Sequence, residues 1–355
     1  MEPAEASNKE KFMAVPLAVM QAGTLAPVDL YIRVRPGRFT LYKKAQAPLY
    51  EETRLRLLEH GVKSLYFSVA DVDAYHQYVE ENIVAIVRDD LLSGSRLQKR
   101  QKRISDTYET HAKGIRILPG QWRPHYPFEQ IAWISPPWPS QDYIWLDFPE
   151  AIFSSIGLLY LSHVNPKFPS VFPNLPKVPW QLTSNGICFE RRLPNGFVFG
   201  GTLRKGGPSV VEMELYMRNA TPQPVRDIKL QTCVYLRGIR EFSAFSVSNK
   251  YVHVGDKGWL PLETAARSTA TPGEYRLGGR GGPKIVDLPL ILTVSDQEDR
   301  IVAVTWHEHT YSLVGNPRHP CMHADPFFPD LESEQEARIQ GKLIFLEGSR
   351  EAFGD

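Results

Sequence analysis

Histidines with carboxylates and a thiol in one short stretch are where this sequence could do chemistry. Trp306–Asp330, WHEHTYSLVGNPRHPCMHADPFFPD, reads as a Gly/Pro-punctuated loop after the strand that ends at Trp306, and carries four of the ten histidines (His307, His309, His319, His323) within 17 positions, together with Glu308, Cys321 and Asp325. An imidazole titrating near pKa ~6.5 beside a carboxylate can move protons at neutral pH. Nitrogen and oxygen donors also suit a divalent metal. The spacing His319-x3-His323-x-Asp325 matches no metal motif, however, and Pro320 excludes the regular helix of an HExxH site. No metal ligands are therefore assigned, and the cofactor is left open. His323, Asp325 and His319 are the expected acid–base residues, and His307 is an expected ligand contact.

A second group is His163-Val-Asn165, at the end of the strand-like run GLLYLSH. If that strand lies beside the one ending at Trp306, His163 joins the catalytic set and Asn165 the ligand contacts. A third is Trp138–Asp147, WPSQDYIWLD, in which Trp138, Asp142 and Trp145 combine aromatic faces with a carboxylate. Aromatic rings stack on sugar faces while carboxylates accept from hydroxyls; the same tryptophans also suit a core lid. No Gly-x-Ser-x-Gly elbow occurs, which leaves Cys321 as the one nucleophile candidate, expected as a buried thiol.

The elements that must hold these groups fall into two regions. Residues 1–12 read as a polar, disordered tail. Residues 13–90 read as a small α/β module: strands Leu30–Val34 and Arg38–Tyr42 across an Arg-Pro-Gly turn, a helix Tyr50–His60, a strand Val62–Phe67 and a helix opened by Ser68. That helix spaces Val72, Tyr75, Tyr78, Val79, Ile83, Ile86 and Val87 three and four apart. Residues 91–113 read as a basic linker, with five basic residues in Arg96–Arg103.

From about Gly114 the composition changes. Twelve of the 29 prolines lie between Pro119 and Pro179, and five of the seven tryptophans between Trp122 and Trp180, a density that excludes long helices. Strands are expected at 142–148, 157–163, 186–193, 197–203, 210–218, 228–237, 251–254, 285–294, 301–306 and 341–346. Val211, Met213, Leu215 and Met217 alternate with polar neighbours, as an antiparallel sheet with one wetter face requires. The fold expected for 114–355 is one large antiparallel β-sandwich, and the composition break predicts that it folds without the module.

The wording GTLAPVDLYIRVRPGRFTLYKKAQAPLYEETRLRLLEHGVKSLYF, with the order of elements around it, resembles the N-terminal accessory domain of bacterial HD-GYP proteins, over residues 15–88. Those proteins are cyclic-di-GMP phosphodiesterases. This chain has no His-Asp dipeptide and no Gly-Tyr-Pro, so the resemblance implies an interaction or signalling module and not the activity. Arg96 and Arg100 have the RxxxR spacing that looks like the cyclic-di-GMP clamp of PilZ domains; a solvated linker explains them as well. VVEMELYMRNATPQPVRDIKLQTCVYL is similar to the core hairpin of galactose-mutarotase-like supersandwiches, whose members mostly bind or process sugars. Gln231 and Cys233 stand where mutarotases carry a histidine that assists ring opening, and Gln231 is taken as a ligand contact. The wording NPRHPCMHADPFFPDL, followed by GKLIFLEG, resembles uncharacterised bacterial β-sandwich proteins, which implies no activity.

Charge narrows the partners. Lys and Arg number 41 against 40 Asp and Glu, a net charge of +1, which argues against nucleic acid. No apolar run reaches the ~18 residues of a membrane helix, and the first twelve residues do not resemble a signal peptide. Three cysteines without CxxC spacing suit reduced thiols. The expectation is a cytoplasmic protein that recognises a carbohydrate or carbohydrate-like small molecule at a His/Asp cleft, with processing of that ligand as an extension of the same reading. The alternative is a non-catalytic bacterial signalling or scaffold protein whose module and β domain bind a protein partner or cyclic-di-GMP.

Overall fold

Strand Val210–Asn219 shows how the pattern becomes a wall: Val211, Met213, Leu215 and Met217 are all buried, and the residues between them are partly exposed. The structure, a computed structural model, describes residues 12–35, 37–92, 114–123, 125–268, 274–279 and 288–348. Arg96 and Arg100, and most of the expected linker, lie outside the described residues. Among the described residues the chain is mainly β, and no helix is long and apolar enough to cross a membrane.

Two large antiparallel sheets face one another across the main core. The first runs in the order Trp259–Pro261, Lys250–His253, Leu290–Val294, Arg300–Thr305, Glu336–Glu347, Val210–Asn219, Phe197–Lys205, Gly186–Arg192, Gln181–Leu182. The second runs Arg267–Ser268, Tyr275–Gly278, Thr310–Asn316, Cys321–Pro326, Lys229–Tyr235, Ile144–Ser154, Ile131–Ile134, Ile117–Gly120. Strand Gly157–Leu161 pairs with the far half of Ile144–Ser154. Trp306 stands fully buried between the sheets; its indole N–H donates to Thr232 Oγ1 (3.2 Å), and Phe148 stacks against it. Gly341 makes room for that ring, since a Cβ there would lie 2.6 Å from the Thr305 carbonyl oxygen and 2.8 Å from the indole.

Two expectations are corrected. Val210–Asn219 and Lys229–Tyr235 do not form a hairpin, because they lie in different sheets. The Asn219 side chain turns the chain between them: its Oδ1 accepts from the Thr221 N–H and hydroxyl, and its Nδ2 donates to the Gln223 and Leu331 carbonyls. The histidine-rich stretch is also not a loop. Thr310–Asn316 and Cys321–Pro326 are paired strands of the second sheet, with Pro317 and Pro320 confined to the turn.

The N-terminal module is a four-stranded sheet, Phe12–Pro16, Ser64–Ser68, Leu30–Arg35, Arg38–Lys43, with helices Glu51–Glu59 and Val72–Leu92. Its buried side chains, Tyr75, Val79, Ile83 and Ile86 among them, form one cluster with the outer face of the first sheet. Strands Leu290–Val294, Arg300–Thr305 and Glu336–Glu347 explain why. Their alternate residues, Ile291, Val302, Val304, Leu343 and Phe345, face the sandwich core. Leu290, Leu292, Val294, Ile301, Ala303, Ile344 and Leu346 face the module. Near-continuous apolar runs of this kind belong to strands covered on both faces.

Candidate functional site

Residues directly opposite one another in an antiparallel ladder share a face, and this rule assembles the site on the second sheet. Asp147, Cys233 and His323 form one row across three strands; Trp145, Tyr235 and Cys321 form the next. Both rows point away from the sandwich core, because Leu146, Val234, Met322 and Ala324 take the inward positions. Alternation along Cys321-Met-His-Ala-Asp325 puts Cys321, His323 and Asp325 on that same outer face.

Glu150 is brought there by an irregularity. Asp147 and Ala151 are opposed by Cys233 and Gln231, so four steps on one strand face two on the other. Such extra residues bend a strand and re-aim its side chains. Here they turn Glu150 onto the outer face, at the point where Ile144–Ser154 exchanges one neighbour, Ile131–Ile134, for another, Gly157–Leu161. The Ser162 N–H donates to the Glu150 carbonyl (2.8 Å) and so anchors the start of the Ser162-His163 segment.

The Glu150 carboxylate lies between two imidazoles, 4.0 Å from His163 Nδ1 and 3.9 Å from His323 Nδ1. His323 Nδ1 is also 3.4 Å from Asp325 Oδ1, and its Nε2 is 3.6 Å from Cys321 Sγ. Asp325 is held by Ser312, whose hydroxyl donates to Oδ2 (3.0 Å). Alongside, Arg123 bridges Glu129 (3.0 Å) and Asp147, and donates to Ser162 Oγ (3.0 Å); the Ser162 hydroxyl donates to Asp147 (2.7 Å). Trp122 stacks on Tyr235 at 4.3 Å between centroids, Trp145 lies 5.6 Å from Tyr235, and the Arg123 guanidinium sits over the Trp122 ring. The side chains of Glu150 and His163 remain 16% and 26% exposed, so solvent reaches this group.

The electrostatics follow from burial among like and unlike charges. Burial pushes the Asp147 carboxyl up to about 6, against the pull of Arg123. Burial likewise pushes Glu150 up to about 7, opposed by His323. Burial, with the Arg123 charge, lowers His163 to about 4. For His323, burial acts downward but Asp325 and Cys321 outweigh it and raise the imidazole well above its ordinary value. The Cys233 thiol beside it holds Cys321 well below the ordinary thiol range, and the same contact together with burial raises Cys233.

The sequence-derived candidates divide. His323, Asp325 and His163 come together, although not by the expected route: Gly157–Leu161 pairs with Ile144–Ser154, whereas Arg300–Thr305 lies in the other sheet. Glu150 joins them instead. Gln231 and Trp145 share the outer face with them. His319 is exposed in the turn before Cys321, its ring 6.4 Å from Tyr235. Asn165 caps its own turn, accepting from Lys167 N–H (3.0 Å). Three candidates lie elsewhere. Trp138 is buried in the main core against Phe242 and Phe345, with Arg300 over its ring. Asp142 is paired with Arg240 (3.2 Å). His307 is buried where the sandwich meets the module, 3.8 Å from Glu80. Arg123, Glu129, Glu150 and Ser162 were not singled out from sequence, and Asp147 only closed the segment Trp138–Asp147. Asp147 alternates with Leu146 in a recognisable strand, but Glu150 is unreadable without the pairing register.

No family model matches the chain, and no curated protein matches it. The likeness of residues 15–88 to the HD-GYP accessory domain finds no support in these comparisons. Solved structures do match over about two thirds of the chain. A putative aldose 1-epimerase from Escherichia coli is 8% identical, covers 66% of this chain and 100% of its own, with a TM-score of 0.38. An aldose epimerase homologue from C. elegans is 9% identical, covering 66% and 100%, with a TM-score of 0.31. A galactose 1-epimerase from Lactobacillus acidophilus is 9% identical, covering 67% and 100%, with a TM-score of 0.31. At these identities and scores they contribute nothing to the assignment of the site.

Proposed function

We propose that the outer face of the second sheet recognises a small polyhydroxylated ligand, a sugar or a close relative. One observation carries the reading: Glu150 stands between His163 and His323 at 4.0 and 3.9 Å, beside the aromatic group Trp122, Trp145 and Tyr235. The gap to His163, whose side chain is 26% exposed, is too long for a direct hydrogen bond and suits a bridging hydroxyl that donates to the carboxylate and accepts from that imidazole, while His323 braces the carboxylate from its buried side. The partly exposed Trp145 ring supplies the apolar surface that the C–H face of a sugar ring needs, backed by the stacked Trp122 and Tyr235, and Gln231 adds an amide on the same face. The same carboxyl and imidazoles offer a bound hydroxyl a short path for its proton.

The test is a melting screen of the full-length protein against neutral monosaccharides, sugar acids and sugar phosphates, followed by calorimetry on any that raise Tm. A ligand at one hundred times its Kd stabilises by about 2.7 kcal/mol, a readily measured shift. Glu150→Gln and His163→Ala should each weaken binding at least about tenfold, the equivalent of one lost hydrogen bond of ~1.4 kcal/mol. A screen in which no member moves Tm, or binding that survives both substitutions, refutes the reading.

A further inference from the structure

The recognition face does not account for the pair of buried thiols at its inner end. Cys233 and Cys321 are 4% and 3% exposed, on adjacent strands of the second sheet, packed with Tyr235 under Trp122 and Trp145. Cys233 Sγ, Cys321 Sγ and a His323 ring nitrogen all lie within 4.8 Å of one another. We propose that Cys233, Cys321 and His323 bind a zinc ion, with Asp325 orienting His323 from behind.

Geometry and donor chemistry carry this together. Zinc bonds of ~2.3 Å to sulfur and ~2.0 Å to nitrogen at tetrahedral angles place sulfur and nitrogen about 3.5 Å apart, and two sulfurs about 3.8 Å apart. Cys321 Sγ and His323 Nε2 already stand at 3.6 Å. The remaining separations, none above 4.8 Å, need a contraction of at most about 1.3 Å, within the reach of side-chain torsions on a fixed ladder. Two thiolates and an imidazole select zinc over magnesium or calcium, which take oxygen ligands.

The far side of the imidazole is an independent sign. His323 Nδ1 and Asp325 Oδ1 are both buried and neither has a hydrogen bond, although only 3.4 Å separates them. Metal on Nε2 fixes the tautomer that carries its proton on Nδ1, and that N–H then donates to Asp325. Asp325 is itself braced by the Ser312 hydroxyl. A metal-bound histidine backed by a carboxylate in this way is a recurring arrangement. Among the described residues no fourth Cys, His or carboxylate belongs to the group. Three protein ligands leave one position for water or a ligand hydroxyl. Zinc binding needs no sugar, so this inference is tested separately from the recognition reading.

The experiment uses the full chain without a histidine tag, reduced and stripped with a chelator, then titrated with cobalt(II) and back-titrated with zinc. One cobalt per chain should bind with a thiolate-to-cobalt charge-transfer band, and one equivalent of zinc should abolish it. Cys233→Ser and Cys321→Ser should lose the band, whereas Cys188→Ser should keep it. Because a cysteine variant could fail for want of folding, Asp325→Asn serves as a second probe. It keeps all three donors and should weaken zinc about 10–100-fold. Absence of the charge-transfer band at saturating cobalt, or a band unchanged in folded Cys233→Ser and Cys321→Ser, overturns the proposal.

Discussion

Removing the N-terminal module should leave residues 114–355 unable to fold as a soluble unit. Leu290, Leu292, Val294, Ile301, Ala303, Ile344 and Leu346 are each at most 4% exposed, and what covers their side of the first sheet is the module. Six of the seven are Val, Leu or Ile. At roughly 1.5–3 kcal/mol for each such side chain, exposing them forfeits about 9–18 kcal/mol before any relaxation. A domain's whole net stability is ~5–15 kcal/mol. The loss is therefore comparable to everything the sandwich has in hand. The exposed face would also be a contiguous apolar patch of the kind that aggregates. The assay compares expression, solubility and chemical denaturation of 114–355 with the full chain, and with Leu292→Ala in the full chain, expected to cost ~2–5 kcal/mol. A soluble truncation that melts cooperatively near the full-length midpoint would refute the argument, and would restore the independence that the composition break at 91–113 suggests.

Two further outcomes are expected. Arg123→Ala should destabilise by ~3–5 kcal/mol in urea unfolding, because Glu129 and Asp147 stay buried without their cation; a loss below ~1 kcal/mol would show that water replaces the guanidinium. Burial lowers His307 to about 3 from an unfolded value near ~6.5. The native state thus binds fewer protons in that interval, and this contribution to stability is lost as pH falls from ~6.5 toward about 3. Glu80, Glu308, His309 and Lys342 face or adjoin that imidazole. Glu80, raised by burial and by Glu308, acts in the opposite sense in any variant. His307→Asn, which accommodates the φ of 52° at this position, should flatten the acid limb of a denaturation series; equal slopes in both proteins would contradict it.

How much was legible in the sequence depended on whether a strand declared itself locally. The alternation in 210–219 and in 229–235 is unambiguous, and both strands are present, but which sheets they join depends on Asn219, whose bond to Leu331 spans 112 positions. Gly315, Pro317 and Pro320 made 310–326 look like a loop, although the prolines occupy only the turn and Cys321, His323 and Asp325 keep a period of two. His323, Asp325 and His163 could be chosen by residue type. Glu150 could not, because its position depends on two extra residues in the pairing with Lys229–Tyr235. Trp138 looked like a stacking platform and is core, since a ring's chemistry does not disclose which side of a sheet it faces. Runs such as Leu290–Val294 did carry the sign of a second covered face, which a sandwich alone does not need.

The most direct test of the central claim is a crystal structure of the full chain soaked with the sugar that most raises Tm. The account predicts ligand density over Glu150, with hydroxyls within hydrogen-bonding distance of Glu150 and His163, and a ring face toward Trp145. Density elsewhere on the molecule, at a concentration that saturates the melting shift, would contradict it.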